Sequence, residues 1–254
     1  MPHTYPMEII GGLLAGGFIG AVLGFIGAGG AMLSVPILLY IFDFTPQAAT
    51  TAAIAVVLSA AISGLLPKIK SKEVLFREAA IIWALGLITN IGFSIIAHRL
   101  SDSVITTGFS IVLVTAGTMM LIKPIAGTEK KVPFFWLIVI SLVIGSMTGL
   151  FGIGGGFLAI PVLVLFFKVP QGKAAGTSLA IIAINSITAF FAHYQSWSSV
   201  TWSTPIAMAM AAVVVARFAS IKSGQMNPTI LRKAFAFLLY SVAAFTLLQT
   251  WVIA

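Results

Sequence analysis

Apolar residues gather along the chain into eight runs: Ile9–Phe42, Ala48–Leu66, Ala79–Ala97, Val104–Ile122, Phe134–Phe167, Ala174–His193, Trp202–Ile221 and Ala234–Ile253. About 20 helical residues cross a ~30 Å hydrocarbon core, so six of the runs predict single membrane helices. The first and fifth each hold 34 residues, which as one helix would reach about 50 Å, more than tilting absorbs. Each of these two runs is expected to break. Gly24 to Pro36 reads GFIGAGGAMLSVP and Gly149 to Pro161 reads GLFGIGGGFLAIP. Glycine weakens a helix and admits positive φ, and proline cannot continue a helical hydrogen-bond ladder, so two shorter helices joined at glycine are predicted in each run.

The two broken runs are copies. At a spacing of 125, Gly20, Gly24, Gly27, Gly29, Gly30, Leu33, Pro36 and Leu38 match Gly145, Gly149, Gly152, Gly154, Gly155, Leu158, Pro161 and Leu163. Beyond a small insertion, Thr51, Ser59, Val74 and Phe76 fall on Thr177, Asn185, Val200 and Trp202. A duplication is predicted, with one repeat over 1–127 and the other over 128–254.

Charge sets how the repeats are related. If all eight runs crossed once, the 14 Lys and Arg would divide seven to seven between the two faces, against the positive-inside rule. If the first and fifth runs enter and leave on one side, 13 basic residues share a face and only Arg99 lies opposite. Three further crossings per repeat then invert the second repeat relative to the first, as in many secondary transporters. Both termini are expected outside and the basic loops in the cytoplasm. The charge count leaves the depth of the hairpins open, since it requires only an even number of crossings.

Composition supports a membrane protein without a soluble domain: 59% of the residues are hydrophobic, 8% are charged, and the mean hydropathy is +1.12. The net charge of +8 reads as topology and not as a nucleic-acid surface. The start, MPHTYPMEII, lacks the basic region of a removable signal peptide. The absence of cysteine excludes disulfides and thiol chemistry. No nucleophile with a base and no metal-ligand cluster falls within a run, so neither an enzyme nor a cofactor is expected.

Unpaired backbone is tolerated at membrane depth where it is buried or lines a wet cavity. Helices starting near Ala31 and Phe157 would present free N–H groups and the positive end of a helix dipole there, which suits an anion. The candidate substrate-binding residues are Gly27, Gly29, Gly30 and Ala31 at one break and Gly152, Gly154, Gly155, Gly156 and Phe157 at the other, with close helix packing as the alternative role of the glycines. Thr51, Thr177 and Ser178 are candidate side-chain donors or back-bond to their own helix carbonyls, Asn185 is a further candidate donor, and Arg217 is a candidate counter-charge or a residue snorkelling to the interface. No ionisable residue stands near the centre of a run, which disfavours cation binding by carboxylates. Trp136, Trp197, Trp202 and Trp251 flank runs as an interfacial belt would.

The paired hairpins, together with VPQGKAAGTSLAIIAINS in the second repeat and the degenerate FTPQAATTAAIAVVLSA in the first, resemble the TauE/SafE sulfite exporter family over nearly the whole chain. The resemblance implies a transporter of sulfite, sulfonates or related organosulfur anions in the cytoplasmic membrane. The first repeat departs from the pattern, with Ala31 in place of Gly156, and Ala52 and Ala53 in place of Ser178 and Leu179. The expected fold is thus an all-α polytopic membrane protein of two inverted repeats, each a broken or re-entrant glycine hairpin plus three transmembrane helices. The expected function is secondary transport of a small anion by alternating access. An anion-selective channel and a permease for another small anion stand as alternatives. The expected partners are the anion and the lipid bilayer, with a coupling ion (proton or sodium) and a homodimer as open options.

Overall fold

The computed structural model describes residues 5–97, 100–122, 133–151 and 156–253, and these parts are helical almost throughout. The first run forms α1 (Tyr5–Ile26) and α2 (Gly30–Tyr40), and the next three form α3 (Pro46–Lys70), α4 (Phe76–Ala97) and α5 (Asp102–Leu121). The fifth forms α6 (Phe134–Phe151) and α7 (Gly156–Phe167), followed by α8 (Gln171–Ala192), α9 (Ser203–Ser223) and α10 (Pro228–Leu248). Seven described helices are long and apolar enough to span a bilayer, so the chain is a polytopic α-helical membrane protein. Arg99, Lys123, Lys130 and Lys131, which entered the charge argument, lie outside the described residues.

Glycine, and not proline, makes the first break. Gly27 and Gly29 have φ of 82° and 90°, a region that side chains disfavour and glycine enters freely, whereas Pro36 and Pro161 sit inside α2 and α7. The hairpin is deep. The 22 residues of α1 rise about 33 Å, and the chain after α2 returns far enough to put the Phe42 ring 3.4 Å from where a Cβ on Gly11 would lie. The first run therefore leaves on the side it entered.

Another set of glycines serves packing. Gly12, Gly16, Gly20 and Gly24 form a stripe at every fourth position of α1, and Thr204, Met208, Ala212 and Ala216 of α9 lie against them in the same order. A Cβ on Gly20 would come within 2.6 Å of the Ala212 carbonyl oxygen, and one on Gly16 would strike that of Met208. The copies in α6 act alike: Gly145 lies on Gly86 and Thr89 of α4, and Gly149 on the Asn90 carbonyl. Small residues let membrane helices approach to backbone contact, which accounts for Gly20, Gly24, Gly145 and Gly149 without a ligand.

At the centre stand α3 and α8, with 56% and 61% of their apolar windows buried against 17% for α4. They run antiparallel: Thr51 meets His193, a Cβ on Gly64 would meet Leu179, and one on Gly176 would meet Lys68. The pair α5 and α10 is antiparallel too, joined by Ser110 to Thr246 at 3.0 Å and Thr118 to Tyr240 at 2.7 Å. Outward faces are apolar, as at Ile88, Ile91, Ile111, Phe218 and Phe237, a continuous surface that a bilayer covers.

Candidate functional site

The two breaks come together on α8. A Cβ on Gly27 would sit 2.6 Å from the Ala175 Cβ, and one on Gly156, where α7 begins, would meet Ile182 and come 3.1 Å from the Ser178 Oγ. Ala175 and Ser178 are one helical turn apart, so both breaks pack against neighbouring turns of one helix. Gly29 faces Leu238 of α10 and Gly30 faces Leu23 of α1, while the backbone of Ala31 lies in the first turn of α2. Phe157 is buried with its ring edge-on to Phe109 at 6.2 Å, so its side chain belongs to the apolar core and only its backbone N–H remains a candidate donor. Gly152, Gly154 and Gly155 lie outside the described residues.

The proposed hydroxyls do not converge. Thr51 Oγ1 donates to the Gln47 carbonyl at 2.9 Å and lies 3.3 Å from His193 Nδ1, beyond the last turn of α8. Thr177 Oγ1 donates to the Lys173 carbonyl at 2.7 Å and accepts from the Leu75 N–H at 3.0 Å, near the first turn of α8. From 177 to 193 is about 24 Å along the helix, more than a small anion spans. The antiparallel pairing of α3 and α8 is the reason: Thr51 and Thr177, which the sequence spacing aligns, lie at opposite ends of the pair. Ser178 differs, for its Oγ donates to the Gly156 carbonyl at 2.7 Å while buried, and so braces the start of α7. Arg217 is exposed on α9 and lines neither described cavity, a position that suits snorkelling.

Asn185 lines a small polar cavity with Trp83, Gly86 and Asn90 of α4 and Gly145 and Thr148 of α6. Its volume open to a water centre is roughly 10 Å3, room for one water molecule. The Trp83 Nε1 atom is buried with no hydrogen-bond partner, which costs about 1–3 kcal/mol unless an acceptor arrives. The other described cavity, about 450 Å3 between α5, α6 and α7, has an apolar wall that includes exposed Trp136, Val143 and Phe166, and so suits acyl chains and not anions.

Sequence reasoning missed Trp83, Asn90 and Thr148, although the repeat carried a signal for them. Their equivalents are Ala209, Ala216 and Leu23, and Ser59 stands for Asn185. Leu23 and Ala216 are fully buried, so the positions that the sequence spacing aligns with the polar cavity wall are themselves small or apolar and packed. A second feature missed is the ion pair of Lys68 and Glu73 at 2.8 Å, with Lys68 2% exposed. It lies where the end of α3 meets the start of α8, and a Cβ on Gly172 would be 2.6 Å from the Glu73 Oε1. Among the described residues no group of three or more His, Cys, Asp or Glu is placed to hold a metal.

The sequence profile described as "Sulfite exporter TauE/SafE" matches residues 12–246. A "Probable membrane transporter protein" of Xylella fastidiosa is 27% identical over 248 residues, covering 93% of this chain and 94% of that protein. The "Probable membrane transporter protein YunE" of Bacillus subtilis is 29% identical over 239 residues, 81% of this chain and 83% of its own length. The "Probable membrane transporter protein MJ0441" of Methanocaldococcus jannaschii is 33% identical over 115 residues, 43% of each chain.

Proposed function

The chain belongs to the TauE/SafE family of multi-pass membrane transporters, and from that premise we propose that it is a secondary carrier of sulfite or a related organosulfur anion across the cytoplasmic membrane. The anion binds beside the second glycine break, between α4, α6, α7 and α8, with the N–H groups at the start of α7 and the side chain of Asn185 as donors. The observation that supports this reading is the packing of Gly27 on Ala175 and of Gly156 on Ser178 and Ile182 of α8, the helix whose Ile181 and Asn185 border the polar cavity. Ser178 acts through the Gly156 carbonyl by holding α7 in place. Thr51 and Thr177 act at opposite ends of the α3 and α8 pair, where their bonds would open and close as access alternates.

Two repeats, 1–127 and 128–254, related by inversion fit the helix pairings. Under that relation α1 corresponds to α6 and α4 to α9, so the stripe of α1 on α9 has its counterpart in α6 on α4. Equivalent helices then oppose each other, which is how α3 lies on α8 and α5 on α10. The basic ends of α3 and α9, with Lys68, Lys70 and Lys222, point to the cytoplasm by the positive-inside rule. The chain has no cysteine, so single cysteines at Ser71 and Gln225 are expected to label from the cytoplasm and those at Ser101 and Ser198 from outside. Labelling of all four from one side would refute the topology.

The substrate assignment is tested by flux of sulfite, thiosulfate, taurine, sulfoacetate and sulfolactate into proteoliposomes of the purified chain, with and without a pH or sodium gradient. Saturable flux of at least one sulfur anion is expected. Flux confined to other solutes would reject the assignment, and any gradient that drives uphill movement identifies the coupling ion.

A further inference from the structure

We propose that Trp83, together with Asn90 and Asn185, forms a site for one oxygen of a singly charged oxyanion and that its neutral wall excludes dianions. This rests on the reading of the chain as a carrier of small anions and adds to it a residue and a charge rule. Trp83 is set apart from three other tryptophans by its bonding. Trp197 donates to the Phe190 carbonyl and Trp202 to the Trp197 carbonyl, both at 3.1 Å, and Trp251 reaches the Thr107 Oγ1 at 3.3 Å. The Trp83 indole N–H is buried and gives its proton to nothing, yet it borders a cavity whose other polar groups are two amides and a threonine. An indole N–H donates and never accepts, so what completes the site is an acceptor. The Thr148 hydroxyl donates its one proton to the Ile144 carbonyl at 2.7 Å and so has none to offer a ligand.

Among the described residues the wall also carries no charge. Its described residues are Ile, Trp, Gly, Asn and Thr. The cost of removing an ion from water rises with the square of its charge, while neutral donors repay it only in proportion to the charge. A monoanion such as a sulfonate or hydrogensulfite is therefore accommodated, and sulfate or fully ionised sulfite is not. The positions that the sequence spacing aligns with Thr148, Trp83 and Asn90 are Leu23, Ala209 and Ala216, which offer no side-chain donor.

Methanesulfonate and sulfate are close in size and differ in charge, which makes them the probes. In proteoliposomes of the full chain, methanesulfonate is expected to compete with labelled substrate, while sulfate at equal concentration does not. Sulfite flux is expected to rise as the external pH falls through its second ionisation. Trp83→Phe keeps the ring and removes the N–H; it should raise the KM for the sulfonate about tenfold with Vmax and melting temperature nearly unchanged. Asn185→Asp, isosteric but anionic, should abolish flux in a folded protein. Competition by sulfate equal to that of methanesulfonate would overturn the charge rule. An unchanged KM in Trp83→Phe would mean that the cavity holds only a structural water. Absence of any sulfur-anion flux in the wild type would instead reject the carrier reading itself and this site with it.

Discussion

Gly145→Leu is expected to leave almost no folded protein. A Cβ at this position would strike the Gly86 carbonyl and the Thr89 hydroxyl, and a backbone atom in the middle of a helix cannot move aside as a side chain does. Overpacking typically costs about 1–3 kcal/mol where side chains can yield; here α6 must move off α4 along its length, so the loss should exceed that range. The marginal stability of folded chains, about 5–15 kcal/mol, would then be largely spent. Size-exclusion profiles and melting curves of detergent-solubilised protein measure the effect. Gly92→Ala is the control, because nothing lies within 4 Å of where its Cβ would be, and it should behave as wild type. A monodisperse, thermally stable Gly145→Leu protein would show that α4 and α6 do not pack as described.

Gly156→Val should have its largest effect on transport. The added side chain meets Ile182 and Ser178, which are side chains and not backbone, so the fold can relax around it while the start of α7 is pushed from α8. A loss of flux of at least about a hundredfold is expected, with insertion and size-exclusion behaviour retained, since misplacing a binding group by about 1 Å can cost that much. Relief of the clash gives the second half of the test: Gly156→Val combined with Ile182→Ala should recover part of the flux. Failure of the double variant to recover, with the fold intact, would argue that the contact between α7 and α8 does not shape the site.

The fold was legible in the sequence because the bilayer imposes length. Run length and glycine placement predict two broken runs and six single helices, and each of the eight runs is helical over most of its described length. What the pattern could not separate was the purpose of each glycine in GFIGAGGAMLSVP. Gly24 belongs to the stripe that packs on α9, whereas Gly27 and Gly29 make the break through positive φ, and both uses read as the same letter. Convergence was the harder matter. Thr51 and Thr177 are equivalent in the repeat, and equivalence suggested a shared ligand, but the antiparallel pairing of α3 and α8 separates them. Trp83 was invisible for a different reason: a tryptophan within an apolar run reads as packing until its N–H is seen to lack an acceptor. Its contrast with Ala209 and that of Asn90 with Ala216 could have marked them, since a polar residue at only one of two aligned positions points to a role beyond packing.

The central claim is a carrier that holds its anion beside the second break and alternates access, and counterflow tests it most directly. Proteoliposomes of the purified chain are loaded with unlabelled substrate anion and diluted into a trace of the labelled one without any gradient. A carrier is expected to give a transient accumulation of label above equilibrium, saturating with substrate and absent in Gly156→Val. Labelled anion that enters without overshoot, in proportion to concentration and at currents far above carrier turnover, would contradict the account and make the protein a channel.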